Sequence, residues 1–264
     1  MQIKFEKYQG TGNDFILIDN RKKEIELSAE QIKFLCDRRF GIGADGLMLL
    51  ELEPGVDFKM VYFNSDGNES SMCGNGGRCI SAFAHKLGLI QDKAKFIAID
   101  GLHESIIYLG GVALKMMDVK NIQSGENYFY LNTGSPHYVK FVFDAKHFNV
   151  FEEGKKIRNS DVYVAEGTNV NFIEKIDDTL FVRTYERGVE DETLSCATGV
   201  TAAALVASLS GVASGKNNCK IATLGGNLNV KFERVLENNF YNIWLEGPAE
   251  FVFEGSINVE ELHS

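Results

Sequence analysis

One segment of this chain occurs twice, and the repetition constrains the fold more than any other feature. The first copy is C-G-N-G-G-R-C-I-S-A-F-A-H-K-L-G from Cys73 to Gly88, and the second is C-A-T-G-V-T-A-A-A-L-V-A-S-L-S-G from Cys196 to Gly211. Each has Glu four residues before the cysteine (Glu69, Glu192), Gly three after it (Gly76, Gly199) and a closing Gly fifteen residues on. Small residues behind a cysteine and a terminal glycine read as a helix that starts at the thiol and stops at the glycine. The second copy has almost no polar face (Val200, Ala202, Ala203, Ala204, Leu205, Val206, Ala207, Leu209), so that helix must be enclosed by other elements.

What encloses it is legible around the repeat. Asp57 to Asn64, His103 to Leu109, His137 to Phe143 and Asn227 to Glu233 alternate apolar and polar residues with period two, and Met1 to Glu6 does the same. Gly225-Gly226 reads as a tight hairpin turn. A further helix is expected after Ser28, capped with Gln31 and ending at Gly41. Gly10-Thr11-x-x-x-Phe15-Ile16 returns as Gly167-Thr168-x-x-x-Phe172-Ile173, at a different distance from its cysteine; the helix near residues 29–40 of the first half accounts for the difference. The fold class is therefore α+β, in two similar domains, each a mixed or antiparallel sheet wrapped around a central buried helix. The expected boundaries are 1–117, 118–250 and a C-terminal strand, 251–264, returning to the first half.

The chemistry follows from where the thiols sit. A helix N-terminus presents open N–H groups and the positive end of the macrodipole, which favours a thiolate and forms a site for a carboxylate. Two such termini face to face would hold one carboxylate with a thiol on each side of the carbon that bears it. Inversion at an α-carbon requires that arrangement: one thiolate removes the proton and the opposite thiol returns one to the other face. The weakly acidic α-proton also demands fixed donors in a dry site. Gly74, Gly76, Gly77, Ala197 and Gly199 would let substrate approach the backbone. Cys36, Cys79 and Cys219 lie in apolar patterns and read as small buried hydrophobes.

Composition removes other classes. A net charge of −10 argues against a nucleic-acid partner, and no apolar run approaches bilayer length, so a cytoplasmic enzyme is expected. The odd set of five cysteines suits reduced thiols; the histidines lack metal-ligand spacing, and no zinc site is expected. No lysine lies in a pyridoxal-phosphate context, and Gly10-x-Gly12 lacks the third glycine of a dinucleotide fingerprint, so no cofactor is expected.

Several motifs resemble the diaminopimelate epimerase family. They are Gly10-Thr11-Gly12-Asn13-Asp14-Phe15, Gly41-Ile42-Gly43-Ala44-Asp45-Gly46, Phe63-Asn64-Ser65-Asp66-Gly67, Met72-Cys73-Gly74-Asn75-Gly76-Gly77-Arg78, Tyr185-Glu186-Arg187-Gly188 and Glu192-Thr193-Leu194-x-Cys196. The resemblance implies an active site in the cleft between the domains, no cofactor, diaminopimelate as substrate and a role in making lysine and cell-wall precursors. It implies Cys73 and Cys196 as the acid–base pair, with N–H groups of Gly74, Asn75, Ala197 and Thr198 on the reacting carboxylate. It further implies Glu186 on the ammonium, Asn13, Asn64, Asn169 and Arg187 chiefly on the distal end, His137 supporting the thiol chemistry, and a homodimer. Ser135-Pro136-His137 stands where the family often has Asn-Pro-His, and Ala197 where it usually has Gly. A rival of the proline racemase type would carry His where Asn75 stands. Taken alone, Asn13-Asp14 and Asn64-Ser65-Asp66-Gly67 have the composition of turns, and Arg78 reads as a helix residue paired with an acid.

Overall fold

The computed structural model describes residues 2–236 and 238–259. The chain divides into two compact units, residues 1–114 with 248–264, and residues 115–247; the sequence-based boundaries fell at 117/118 and 250/251. Residues 260–264 of the expected C-terminal segment lie outside the described residues.

In the first unit β1 (Gln2–Gly10) and β2 (Asn13–Asp19) form a hairpin, α1 (Ala29–Cys36) crosses over, and β3 (Gly46–Glu51) runs parallel to β2. Then β4 (Phe58–Asn64) pairs antiparallel with β3 and leads into α2 (Gly74–Lys86). After it, β5 (Lys93–Ala98) joins β4 in parallel, and β6 (Gly101–Tyr108) and β7 (Gly111–Lys115) extend the sheet antiparallel.

The second unit repeats this plan. A short β8 (Gln123–Ser124) pairs with β9 (Phe129–Asn132), which forms a hairpin with β10 (Pro136–Phe141). α3 (Val150–Arg158) crosses over to a parallel β11 (Asn169–Ile176), and β12 (Thr179–Glu186) and β13 (Asp191–Thr193) follow antiparallel. α4 (Ala197–Leu209) comes next; β14 (Asn218–Thr223) then joins β12 in parallel, with β15 (Gly226–Leu236) and β16 (Asn239–Gly247) beyond it. The last strand, β17 (Glu250–Asn258), pairs with β1 in the first unit.

This topology corrects the sequence alignment of the halves. β2-α1-β3 matches β10-α3-β11, so α1 has a counterpart and is not an extra helix of the first half. The true echo of Thr11-Gly12, with Gly12 at φ 85°, is Thr133-Gly134, with Gly134 at φ 107°. Gly167-Thr168 instead corresponds to Gly43-Ala44, and both glycines are left-handed (φ 73° and 82°). The helix α3 escapes a sequence reading because Gly154 interrupts it. That glycine is needed: a Cβ there would lie 2.4 Å from Cβ of Tyr185, the β12 ring against which α3 packs.

The central helices match closely. Each is 13 residues long and has a cysteine as its extended N-cap. Each stops at a glycine with φ 72°, where the next N–H returns to a carbonyl five residues back (Leu89 to Ala84 at 3.0 Å, Val212 to Ala207 at 2.9 Å). Ten residues of α4 from Ala197 to Ala207 are buried. The capping box at Ser28 forms as expected, and α1 ends at Cys36, before Gly41.

Strand alternation then sorts the sheet faces. Ile16 and Ile18 join Ile32 and Leu35 of α1, while Val170 and Phe172 join Val150 of α3. With period two, Asn13 and Phe15, like Asn169 and Asn171, turn to the opposite face. That face of each sheet packs on its central helix, α2 or α4.

Candidate active site

The implied residues fall into one group per unit: Asn13, Asn64, Cys73, Gly74 and Asn75 in the first, and His137, Asn169, Glu186, Arg187, Cys196, Ala197 and Thr198 in the second.

In the first unit the Cys73 thiol is half-buried and donates to Oδ1 of Asn13 at 3.4 Å. That oxygen also accepts from Nδ2 of Asn75 at 3.2 Å, while Nδ2 of Asn13 donates to Asp45 at 2.6 Å. Asp45 shares Arg38 with Asp14, which also pairs with Lys7. Burial alone would raise the Asp14 carboxyl, but hydrogen bonds from Arg38 and Lys7 outweigh it and hold the group well below the usual carboxylate range. Asn64 ends β4 and opens a turn closed by Gly67, so it is a turn residue as its composition suggests. Its backbone is thereby fixed, but no bond joins its side chain to the Cys73 network among the described residues.

In the second unit the Cys196 sulfur is buried and lies 3.5 Å from Oγ1 of Thr198. The residue that organises the surroundings is Asn171, which the sequence motifs did not single out. Its Oδ1 accepts from Thr184 at 2.9 Å; its Nδ2 donates to the Tyr138 carbonyl at 3.0 Å and to Nδ1 of His137 at 3.1 Å. A carbonyl can only accept, so the amide orientation is fixed, Nδ1 of His137 must accept, and the imidazole proton sits on Nε2. Burial pushes the His137 pKa down to about 3, aided by Arg187. His137 is therefore a neutral ring with Nε2–H as a donor, and that nitrogen has no hydrogen-bond partner among the described residues. Period-two alternation on β11 next to a cysteine-headed helix is the signal that could have located Asn171.

Asn169, Arg187 and Ser135 form a second cluster. Nδ2 of Asn169 donates to Oγ of Ser135 at 2.9 Å, its Oδ1 accepts the Arg187 N–H at 2.9 Å, and Nη2 of Arg187 reaches the same hydroxyl at 3.3 Å. Ser135 thus bonds both Asn169 and Arg187 in spite of its short side chain. Glu186 accepts from Thr193 at 2.7 Å.

Some sequence expectations change. Gly199 makes room for the protein: a Cβ there would stand 2.4 Å from Oδ1 of Asn171. At Gly77 it would meet Met72 and Leu114 at about 3 Å. Glu192 is bound at 2.6 Å by Arg183, which donates to three carbonyls around residue 146, so its part in the repeat is structural. Among the described residues Arg78 pairs with no acid: its acceptors are two carbonyls, a hydroxyl and an amide. Burial pushes the Cys36 and Cys79 thiols up to about 12 and raises Cys219 as well. Among the described residues no three His, Cys, Asp or Glu side chains cluster as metal ligands, and no helix is long and apolar enough to cross a membrane.

Each of the two units thus contains a βαβ crossover and a buried helix headed by a cysteine. The fold is shared with a PhzF-family phenazine biosynthesis protein of Bacillus anthracis (TM-score 0.77, 12% identity, 98% of this chain and 100% of that one). It is also shared with a hydroxyproline epimerase of Agrobacterium vitis (TM-score 0.69, 11% identity, 97% and 92%). The diaminopimelate epimerase profile matches residues 5–106 and 129–252. Diaminopimelate epimerases of Flavobacterium psychrophilum (54% identical over 97% of this chain and 100% of that protein) and Chlorobaculum tepidum (42%, 95% and 99%) are similar along their whole length. The chain belongs to the diaminopimelate epimerase family.

Proposed function

We propose that this protein converts LL-2,6-diaminopimelate to the meso form without a cofactor, with Cys73 and Cys196 as the two acid–base groups. The observation that carries the reading is the pair of matched helices, each opening on a cysteine in the same extended N-cap conformation, in a chain of this family. One thiolate takes the α-proton from one face; charge develops on the carbon and its carboxylate; the other thiol gives its proton to the opposite face. The first sulfur ends protonated and the second ionised, so solvent exchange or reverse turnover must restore the starting state.

First-turn N–H groups of Gly74, Asn75, Ala197 and Thr198 are the donors for the reacting carboxylate. Glu186 receives the reacting ammonium, and Asn13, Asn64, Asn169 and Arg187 hold the distal end. Ser135 and the Glu166 carbonyl support this, since they accept from the Arg187 guanidinium on two sides, at 3.3 Å and 3.0 Å. His137, neutral with its donor on Nε2, suits a supporting donor to the thiol chemistry rather than a proton shuttle. A cytoplasmic homodimer supplying lysine and peptidoglycan precursors is the cellular setting of the same reading.

Incubation with LL-diaminopimelate in D₂O, following stereochemistry and label together, tests it. Meso product with deuterium at the inverted carbon is expected, and Cys73→Ala and Cys196→Ala should each abolish it while the far-UV spectrum is retained. Full turnover in either variant, or inversion of proline or hydroxyproline in preference, would overturn it.

A further inference from the structure

Glu190 stands in the turn between β12 and β13 with its backbone left-handed, at φ 58°. That region favours glycine, and a long side chain held there marks a position where other contacts offset the strain. The contacts come from both its backbone and its carboxylate. The Glu190 N–H donates to the Glu186 carbonyl at 2.8 Å, which closes the turn. The carboxylate folds back over it: Oε1 accepts the Gly188 N–H at 3.1 Å, and Oε2 accepts the Tyr185 hydroxyl at 3.4 Å.

Arg158, the last residue of α3, braces the same carboxylate, with Nε 3.3 Å from Oε1. Its side chain is largely buried, and Nε and Nη1 have no hydrogen-bond partner among the described residues. The ion pair with Glu190 is therefore what compensates for taking that guanidinium out of water. Gly167 brings these parts up to Arg187. A Cβ there would stand 2.8 Å from Cζ of Arg158 and 2.7 Å from Cδ of Arg187, so the missing side chain lets both arginines run past one backbone position. Arg187 is exposed and is the first residue of the turn that Glu190 closes. Asn169 holds its N–H, while Ser135 and the Glu166 carbonyl hold its guanidinium.

We propose that Glu190, braced by Arg158, is a positioning residue for Arg187: it holds the exposed β12–β13 turn in one conformation, so that the guanidinium is preset for the distal end of the substrate instead of being ordered on binding. This rests on the reading above in which Arg187 grips that end. A plain hairpin would be served better by glycine at residue 190, which reaches a positive φ without strain. The glutamate instead brings a carboxylate tied to both α3 and β12.

The test compares Glu190→Gly and Glu190→Gln in the full-length protein. Glycine removes the carboxylate and relieves the backbone, so the parent's melting temperature should be kept. KM for LL-diaminopimelate should nevertheless rise roughly tenfold, with kcat changed by less than about twofold, because the distal end does not react. Glu190→Gln keeps an oxygen for the Gly188 N–H and should recover part of the loss. Amide hydrogen exchange without substrate, resolved at Arg187 by electron-transfer fragmentation, should be roughly tenfold faster in Glu190→Gly than in the parent. An unchanged KM, or unchanged exchange at Arg187, would overturn the proposal. A lower melting temperature as the sole change would leave Glu190 a structural part only and overturn it too. Exchange needs no turnover, so it decides the proposal even where the parent fails to invert diaminopimelate, an outcome that would sink the functional reading instead.

Discussion

Replacing Asn171 by leucine removes the hub of the second unit's polar interior at nearly constant volume. Asn171, His137 and Thr184 are all buried to within 2% of full exclusion, so water cannot replace what is lost. The change deletes the bonds to His137 at 3.1 Å, the Tyr138 carbonyl at 3.0 Å and Thr184 at 2.9 Å. Each of the three stranded buried groups costs about 1–3 kcal/mol, which puts the total at roughly 3–9 kcal/mol. A methyl in place of Oδ1 would also press on Gly199, where even a Cβ would come within 2.4 Å of that oxygen. Trp244, the single tryptophan, lies in the same unit as Asn171, so its fluorescence during urea unfolding reports the relevant structure. The melting temperature should fall by on the order of 10 °C or more. Thr184→Val strands one acceptor and should cost about 1–2 kcal/mol. A loss under about 1 kcal/mol for Asn171→Leu would refute the assignment of Asn171 as the hub.

Three further outcomes are expected. Gly199→Ala should destabilise by about 1–3 kcal/mol through overpacking against Asn171 and lower kcat more than KM is raised, as steady-state kinetics and denaturant titration would measure; wild-type stability would contradict it. His137 has its folded pKa depressed to about 3, below its ordinary value of 6.5, so the unfolded chain binds the proton first. Its contribution is full above about pH 6.5 and is lost as pH falls toward 3; His137→Gln should flatten the stability profile between about pH 6.5 and 5, and an unaltered slope would count against burial as the cause. The Asp14 carboxyl, also depressed, contributes stability above its unfolded pKa that is lost as pH falls through the folded value; Asp14→Asn should therefore lower the melting temperature at neutral pH and bring it near the parent's in acid.

The local grammar of the chain determined a good deal. Period-two alternation marked β4, β6, β10 and β15; Ser28 and Gln31 wrote a cap; and Cys73 with Gly88, like Cys196 with Gly211, delimited the central helices, because caps and left-handed stops depend on neighbours a few residues apart. Tertiary structure decided whatever depends on partners distant in sequence. It assigned Thr133-Gly134 as the counterpart of Thr11-Gly12, made a helix of residues 150–158 by giving Gly154 the ring of Tyr185, and turned Asn171 into the residue that sets the His137 tautomer. It also left Arg78 among neutral acceptors where an acid was expected, since a side chain's electrostatic partners are chosen by the packing of strands far apart along the chain.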